Sequence, residues 1–240
     1  MSCIANTWPT RAAGHTRIVL VRHGETDWNA QKRFQGHTDI PLNACGRAQA
    51  QRVGQYFSAL TAAATDHPLA FDHCVSSDLQ RAHHTAQAIA QGDCTIELDR
   101  RLRERDYGHL SGLTGDEMHQ KSPREFEALK RRDPEATVSG GESLLQFHKR
   151  VIEALNEHAN RWRGQTLLLV AHGGVLDCIY RHCTGEPLHT QRAWQLPNCA
   201  INVIDLAANG QHHVVVWGHT AHLDHGQSGQ TLDEVDGRVA

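Results

Sequence analysis

Three short polar segments of the sequence combine arginine and histidine in a way that suits chemistry on phosphate esters. They lie at residues 22–26 (RHGET), 76–81 (SSDLQR) and 172–174 (HGG). Arginine offers phosphate oxygens a planar fork of hydrogen-bond donors. A neutral imidazole nitrogen can attack phosphorus without first losing a proton. Two arginines and two histidines brought to one point would therefore form a cage for a phosphoryl group.

Each of the three segments comes directly after a predicted β-strand or at its end. Apolar runs predict six strands, at 17–22, 71–76, 95–98, 166–171, 200–205 and 212–217. Capping residues and helical spacing of apolar residues predict helices at 43–64, 78–91, 142–163 and 172–182. This alternation indicates an α/β domain with a mainly parallel sheet. Because ligands bind beyond the carboxyl ends of such strands, we expect His23, Arg81 and His172 to converge.

The length and the changes in composition predict how the chain is organised. Its 240 residues fit one domain. We expect a loose N-terminal extension at 1–16, a single catalytic domain at 17–220 and a polar tail at 221–240. Residues 104–141 mix short helical stretches with Gly and Pro, so we expect them to form a lid that governs substrate specificity.

Charge and cysteine content exclude several classes of protein. The sequence has 24 Lys and Arg residues and 27 Asp and Glu residues, which gives a net charge of −3. This charge argues against a protein that coats nucleic acid but allows a local basic pocket. Seven scattered cysteines without a Cys-x-x-Cys motif argue against a disulfide scaffold or zinc ribbon and favour a reducing, cytoplasmic location. The apolar runs are too short to span a bilayer, so we expect no membrane contact.

Most of the 19 histidines lack a chemical context. His219, His222 and His225 are spaced three apart and could bind a metal if they lay on one helix. The surrounding Gly and Asp instead favour an irregular tail from Gly218 onward. We therefore expect no metal site.

The first polar segment carries a family resemblance. Residues 20–29 (LVRHGETDWN) are similar to the signature of the histidine phosphatase superfamily, which includes cofactor-dependent phosphoglycerate mutases and many phosphatases. Further motifs in the same order extend the resemblance over residues 17–220. It implies a phosphoglycerate mutase-like fold, a three-layer α/β/α sandwich whose mixed sheet has one antiparallel strand near an edge. It implies no metal and no cofactor for a phosphatase.

The resemblance also implies the catalytic roles. His23 matches the nucleophile that becomes phosphohistidine, while Arg22, Arg81 and His172 match the groups that hold the phosphoryl oxygens. Glu104, within residues 103–108 (RERDYG), matches the general acid that protonates the leaving oxygen and later acts as a base on water.

Five further residues match binding positions of the family. Asn29 matches the phosphate-pocket asparagine, and Gly173 lies beside His172 in the phosphate-binding turn. The positions implied to face the substrate are Gln35, Gly36 and Tyr107.

Departures from the mutase pattern favour a phosphatase. Residues 112–115 read GLTG where the mutases resemble Gly-Leu-Asn-Lys, so the lysine is missing. The segment from Gly115 to Gly140 is too short for the mutases' insertion with paired arginines, and Gly174 stands where they place asparagine. We therefore expect a metal-independent phosphomonoesterase that acts on a small phosphorylated metabolite.

Two alternatives remain open. The first is a phosphoglycerate mutase primed by 2,3-bisphosphoglycerate, an isomerase. The second is a non-catalytic module that binds a phosphorylated ligand, which the complete motif set disfavours. We expect no nucleic-acid partner, and a homodimer is among the assemblies that the resemblance allows.

Overall fold

The computed structural model describes residue 9 and residues 11–63, 70–90, 94–207 and 211–223. Its strands are β1 (Thr16–Arg22), β2 (His73–Ser76), β3 (Ile96–Leu98), β4 (Thr166–Ala171), β5 (Ile201–Leu206) and β6 (His212–His219). Its α-helices are α1 (Asp27–Ala30), α2 (Ala44–Ala63), α3 (Gln80–Ala90), α4 (Gly115–Lys121), α5 (Pro123–Lys130), α6 (Leu144–Arg161) and α7 (Gly173–Thr184). None of these helices is long and apolar enough to cross a membrane.

The strands form one mixed sheet with the order β3-β2-β4-β1-β5-β6. Strands β1, β2, β3 and β4 run parallel, and β5 pairs antiparallel with both β1 and β6. The antiparallel strand is thus next to an edge, as the resemblance implies. The predicted mainly parallel sheet is confirmed.

Strand β1 shows why the sheet is covered on both faces. Ile18 and Leu20 belong to a core shared with α6 and α7, whereas Val19 and Val21 belong to a core shared with α2 and α3. All four side chains are fully buried. A continuous apolar run is what a strand needs when helices pack against both of its faces. The three-layer α/β/α sandwich is therefore confirmed.

Residues 104–141 form a satellite around their own small core. Two 3₁₀ turns (Arg100–Leu102 and Gly108–Leu110) come before and within it, followed by α4 and α5. The buried apolar residues of this part are Tyr107, Leu110, Met118, Phe126 and Val138. The segment thus has packing separate from the two cores of the sheet.

The structure corrects several details of the predicted elements, and α3 and α6, for example, begin at Gln80 and Leu144 rather than at 78 and 142. Helix α1 lies between β1 and α2, where the sequence predicts no helix, because Thr26 and Asn29 form a reciprocal capping box around a single turn. Strand β2 begins at His73 rather than at 71. Strand β6 continues to His219, so Gly218 is not the start of an irregular tail. The pair at 209–210 (NG) is typical of a tight turn between two strands. That pair, His225, and most of the predicted terminal extension and tail lie outside the described residues.

Candidate active site

His23 follows the carboxyl end of β1 and is 3% exposed. Its backbone N–H donates to Ala171 at the end of β4, at 2.9 Å. Its ring Nδ1 lies 2.7 Å from the carbonyl oxygen of Gly24. A carbonyl can only accept, so Nδ1 carries the proton of the neutral ring and Nε2 keeps its lone pair. The backbone therefore sets the tautomer that a nucleophilic Nε2 requires.

The turn after His23 is fixed by close packing against the start of α2. A Cβ atom on Gly24 would lie 2.4 Å from the carbonyl oxygen of Gly46, and one on Gly46 would lie 2.0 Å from that of Glu25. Only glycine permits two backbone segments to approach this closely. The N–H of Gly24 also donates to the hydroxyl of Thr85 in α3, at 3.1 Å. Two helices thus hold the turn that carries His23.

His172 faces His23 across the same edge of the sheet. It caps the N-terminus of α7 and is completely buried. Its ring centroid lies 5.1 Å from that of His23, with an interplanar angle of 57°. Its Nε2 lies 2.9 Å from the hydroxyl of Ser77, which directly follows β2. The ends of β1, β2 and β4 therefore meet, as the sequence predicts.

Two buried guanidinium groups complete the cage. Arg22 donates to the carbonyl oxygen of Leu196 at 2.5 Å. Arg81 donates to the carbonyl oxygens of Gly36 at 2.8 Å and Thr38 at 2.9 Å. Carbonyl partners orient a guanidinium without neutralising its charge. These contacts thus help to hold two guanidinium groups beside His23, at the edge of the sheet where His23 and His172 meet.

Burial and these arginines keep both histidines neutral. The pKa of His23 is well below its usual value, first because of burial and then because of the charges of Arg81 and Arg22. The pKa of His172 is also lowered well below its usual value, again mainly by burial and then by Arg81. A neutral His23 is the form that can attack phosphorus.

Glu104 lies between the two 3₁₀ turns, and its side chain reaches the N-terminus of α7. Its carboxyl group is buried and accepts two backbone hydrogen bonds. Oε1 accepts from the N–H of Arg105 at 2.7 Å, and Oε2 accepts from the N–H of Gly174 at 2.9 Å. Gly174 is two residues from His172, so Glu104 and the cage share the first turn of α7.

Arg150 of α6 holds the backbone that carries Glu104. Its guanidinium donates to the carbonyl oxygens of Arg101, Arg103 and Glu104, each at 2.8 Å. It also pairs with Glu142, whose carboxylate accepts from the N–H of Asp106 at 2.9 Å. One side chain therefore holds the backbone on both sides of Glu104.

The remaining predicted site residues lie in the segment between β1 and α2, in the satellite and in the first turn of α7. Asn29 and Gln35 are buried, and a side-chain oxygen of each lies 3.0 Å from the hydroxyl of Thr26. Gly36 has a φ of +51° and supplies a carbonyl to Arg81. Tyr107 is buried against Phe34 in the satellite core, with ring centroids 5.0 Å apart. The residue Gly173 is the first of α7.

Several residues that shape the site are not among those predicted from the sequence. Ser77 belongs to the polar segment at 76–81, and its position directly after a strand could have indicated a site residue. Asn198 donates to the carbonyl oxygen of His23 at 2.8 Å, and Asp39 accepts from the first N–H of α3 at 2.8 Å. The partners of Asn198, Asp39 and Arg150 are distant in the chain, so no local pattern reveals them. Within the described residues no group of three or more His, Cys, Asp or Glu could hold a metal ion.

Two solved structures share this architecture. YhfR of Bacillus stearothermophilus is 31% identical, with a TM-score of 0.78, over 86% of this chain and 98% of its own. Phosphoserine phosphatase of Entamoeba histolytica, solved with 3-phosphoglyceric acid, is 27% identical, with a TM-score of 0.75, over 87% of this chain and 99% of its own.

Sequence comparison identifies the family to which the chain belongs. Phosphoglycerate mutase-like protein 4 of Arabidopsis thaliana is 35% identical over 213 residues, which are 88% of each chain. The family model of the histidine phosphatase superfamily (branch 1) matches residues 18–220. The chain therefore belongs to the histidine phosphatase superfamily and is an enzyme of its first branch.

Proposed function

We propose that the protein is a metal-independent phosphomonoester hydrolase that acts through a phosphohistidine at His23. The observation that carries this proposal is the meeting of His23, His172, Arg22 and Arg81 in one buried cage beside Glu104. A neutral imidazole, fixed positive charge and a carboxyl group are the three parts that phosphoryl transfer through histidine requires.

The first half-reaction transfers the phosphoryl group to the enzyme. Nε2 of His23 attacks phosphorus while Nδ1 keeps its hydrogen bond to Gly24. The bond between phosphorus and the ester oxygen breaks, and protonated Glu104 donates its proton to that oxygen. Arg22, Arg81 and His172 stabilise the equatorial oxygens. The products are an alcohol and phosphohistidine.

The second half-reaction returns the enzyme to its starting state. Water attacks phosphorus, and the Glu104 carboxylate takes one of its protons. The bond between phosphorus and Nε2 breaks, so His23 is neutral again and inorganic phosphate leaves. The proton that Glu104 gave to the alcohol is thereby restored from water.

We assign the surrounding residues to binding. In this proposal Asn29 and Gly173 help to hold the phosphoryl group, whereas Gln35, Gly36 and Tyr107 shape the substrate side. Residues 104–141 form the lid that governs specificity within the catalytic domain at 17–220. The burial of Asn29 and the Gly36–Arg81 hydrogen bond support these assignments.

A phosphoglycerate mutase is the second candidate, because the Arabidopsis relative is named as mutase-like. The missing lysine at 115 and the glycine at 174 favour hydrolysis. A coupled mutase assay primed with 2,3-bisphosphoglycerate separates the two functions. Robust conversion of 3- to 2-phosphoglycerate would replace the hydrolase with the isomerase.

We propose a small phosphorylated metabolite as substrate and the cytoplasm as location, with neither nucleic acid nor membrane as a partner. The burial of the four residues of the cage supports a small ester. A panel of phosphate esters identifies the substrate, and light scattering tests for a homodimer. Hydrolysis of any ester on the panel argues against a non-catalytic binding module.

Trapping the intermediate tests the proposed chemistry directly. Rapid acid-free quenching after mixing with a ³²P-labelled ester should leave label that is alkali-stable and acid-labile, as expected for phosphohistidine. His23→Ala should remove both the label and the activity. Full activity of His23→Ala would overturn the proposal.

A further inference from the structure

We infer that Gly174 is a positioning residue for the general acid: the missing side chain at this position creates the space that the carboxyl group of Glu104 occupies. The inference rests on the proposed function, because it concerns the acid of that reaction. Gly174 is the second residue of α7 and is buried. Its N–H donates to Oε2 of Glu104 at 2.9 Å.

The space beside Gly174 is too small for any side chain. A Cβ atom there would lie 2.3 Å from Oε1 of Glu104 and 3.0 and 3.1 Å from two ring atoms of Phe147. Real Cβ atoms do not approach another heavy atom to 2.3 Å. Phe147 is fully buried in the core shared by α6 and α7, so its ring cannot move aside without disturbing close packing.

Glu104 is therefore the group that would have to move. Its backbone is held by Arg150 through the carbonyl oxygens of Arg103 and Glu104. Only rotation of the side chain remains, and rotation breaks the bonds from the N–H groups of Arg105 and Gly174. A side chain at 174 thus displaces the carboxyl group from the cage and leaves the nucleophile in place.

Residue 174 is also one of the positions at which this chain departs from the mutase pattern, which has asparagine there. In this protein an asparagine would conflict with the observed position of Glu104, just as alanine would. The glycine thereby fixes an arrangement in which the acid lies against the first turn of α7. We expect this arrangement to be specific to enzymes that carry glycine here.

The leaving group of the substrate provides a test. Alkyl oxygens leave poorly without a proton, whereas p-nitrophenolate leaves readily. The parameter kcat/KM covers only the steps through phosphohistidine formation, so it reports proton donation to the leaving oxygen. We expect Gly174→Ala and Gly174→Asn to lower kcat/KM by roughly 10²-fold for an alkyl ester, the contribution of one positioned acid. For p-nitrophenyl phosphate we expect a change of only about threefold.

The alkyl probe is whichever of phosphoserine, 3-phosphoglycerate and glycerol phosphate the wild-type enzyme hydrolyses fastest. Gly185→Ala is the matched control, because Gly185 ends the same helix with a φ of +78° and nothing within 4 Å of its added Cβ. It should lower stability without changing the ratio of the two rates. Equal losses on both esters in Gly174→Ala would overturn the inference.

A double-mutant cycle separates positioning from a merely structural effect. In a Glu104→Ala background the main clash is gone, so Gly174→Ala should cause no further loss of activity and a smaller fall in melting temperature. Additive losses would overturn the inference, and the melting temperatures decide it even if Gly174→Ala alone folds poorly. Retained activity in His23→Ala would instead overturn the proposed function, whatever the cycle shows.

Discussion

Arg150 donates a hydrogen bond of 2.8 Å to the backbone oxygen of Glu104, although 46 positions separate the two residues in the chain. The same guanidinium binds the carbonyl oxygens of Arg101 and Arg103 and the carboxylate of Glu142. Helix α6 therefore holds the backbone of Glu104, the proposed general acid, and α7 contacts its carboxyl group through Gly174.

The first prediction is that Arg150→Lys slows catalysis. Lysine is a point charge and cannot reproduce a planar fork that binds three carbonyls and a carboxylate at once. We expect kcat to fall roughly 10- to 100-fold, as displacement of a catalytic group by about 1 Å would cause. Arg161→Lys is the control, since Arg161 lies on the same helix but is 55% exposed and pairs with Glu97 at the surface. Wild-type kcat in Arg150→Lys would contradict the prediction.

His23 and His172 could be predicted from the sequence because each directly follows a strand with a continuous apolar run, β1 or β4. Strand β1 is apolar on both faces, which predicts a strand with helices packed against both of its faces. One face carries Val19 and Val21, and the other carries Ile18 and Leu20. The positions of His23 and His172 at one sheet edge then follow from parallel topology. This part of the site is encoded locally.

The supporting contacts could not be predicted, because they join residues far apart in sequence. Arg150 and Asn198 carry no pattern that distinguishes them from surface residues until their backbone partners are known. Helix α1 escaped detection because a single turn held by one capping box has no helical periodicity. The close packing at Gly174 could not be predicted either, because the sequence does not show which atoms lie beside a glycine in the fold.

The second prediction concerns Gly36, whose carbonyl accepts from Arg81. Gly36→Ala places a Cβ 3.0 Å from the carbonyl oxygen of Arg105 and strains a φ of +51°. We expect a loss of about 1 to 2 kcal/mol in unfolding free energy. We also expect KM for phosphate esters to rise by about tenfold, because the strained backbone shifts the carbonyl group that helps to position Arg81.

The control for that change is Gly14→Ala. Gly14 has a φ of +77° but nothing within 4 Å of an added Cβ. It should lose a similar unfolding free energy and keep its KM. Steady-state kinetics and urea unfolding measure both quantities, and a normal KM in Gly36→Ala would count against the role of this carbonyl.

The third prediction is that Ser77→Ala lowers kcat/KM by about tenfold, the equivalent of one hydrogen bond that orients His172. The hydroxyl of Ser77 lies 2.9 Å from Nε2 of His172. Ser76→Ala is the matched control, because the Ser76 hydroxyl is also buried but donates to a backbone oxygen, that of Ser77. Identical kinetic losses in the two variants would show that the contact with His172 has no special role.

The fourth prediction is that the protein loses stability as the pH falls below 6.5. The pKa values of His23 and His172 are lowered well below 6.5 in the folded state, chiefly by burial. The unfolded chain, with pKa values near 6.5, therefore binds more protons than the folded chain in the window just below that pH. Stability consequently rises with pH across this window and is lost as the pH falls through it.

Urea unfolding in buffers without phosphate, at pH values on both sides of 6.5, measures this effect. The variant with His23→Asn and His172→Asn should show a shallower dependence, because it lacks the two strongly shifted groups. Other histidines, such as His222 with a pKa lowered to about 4 by burial, contribute equally to both proteins. Parallel curves for the two proteins would mean that the cage histidines are not held neutral, and the nucleophile would then need deprotonation before it could attack phosphorus.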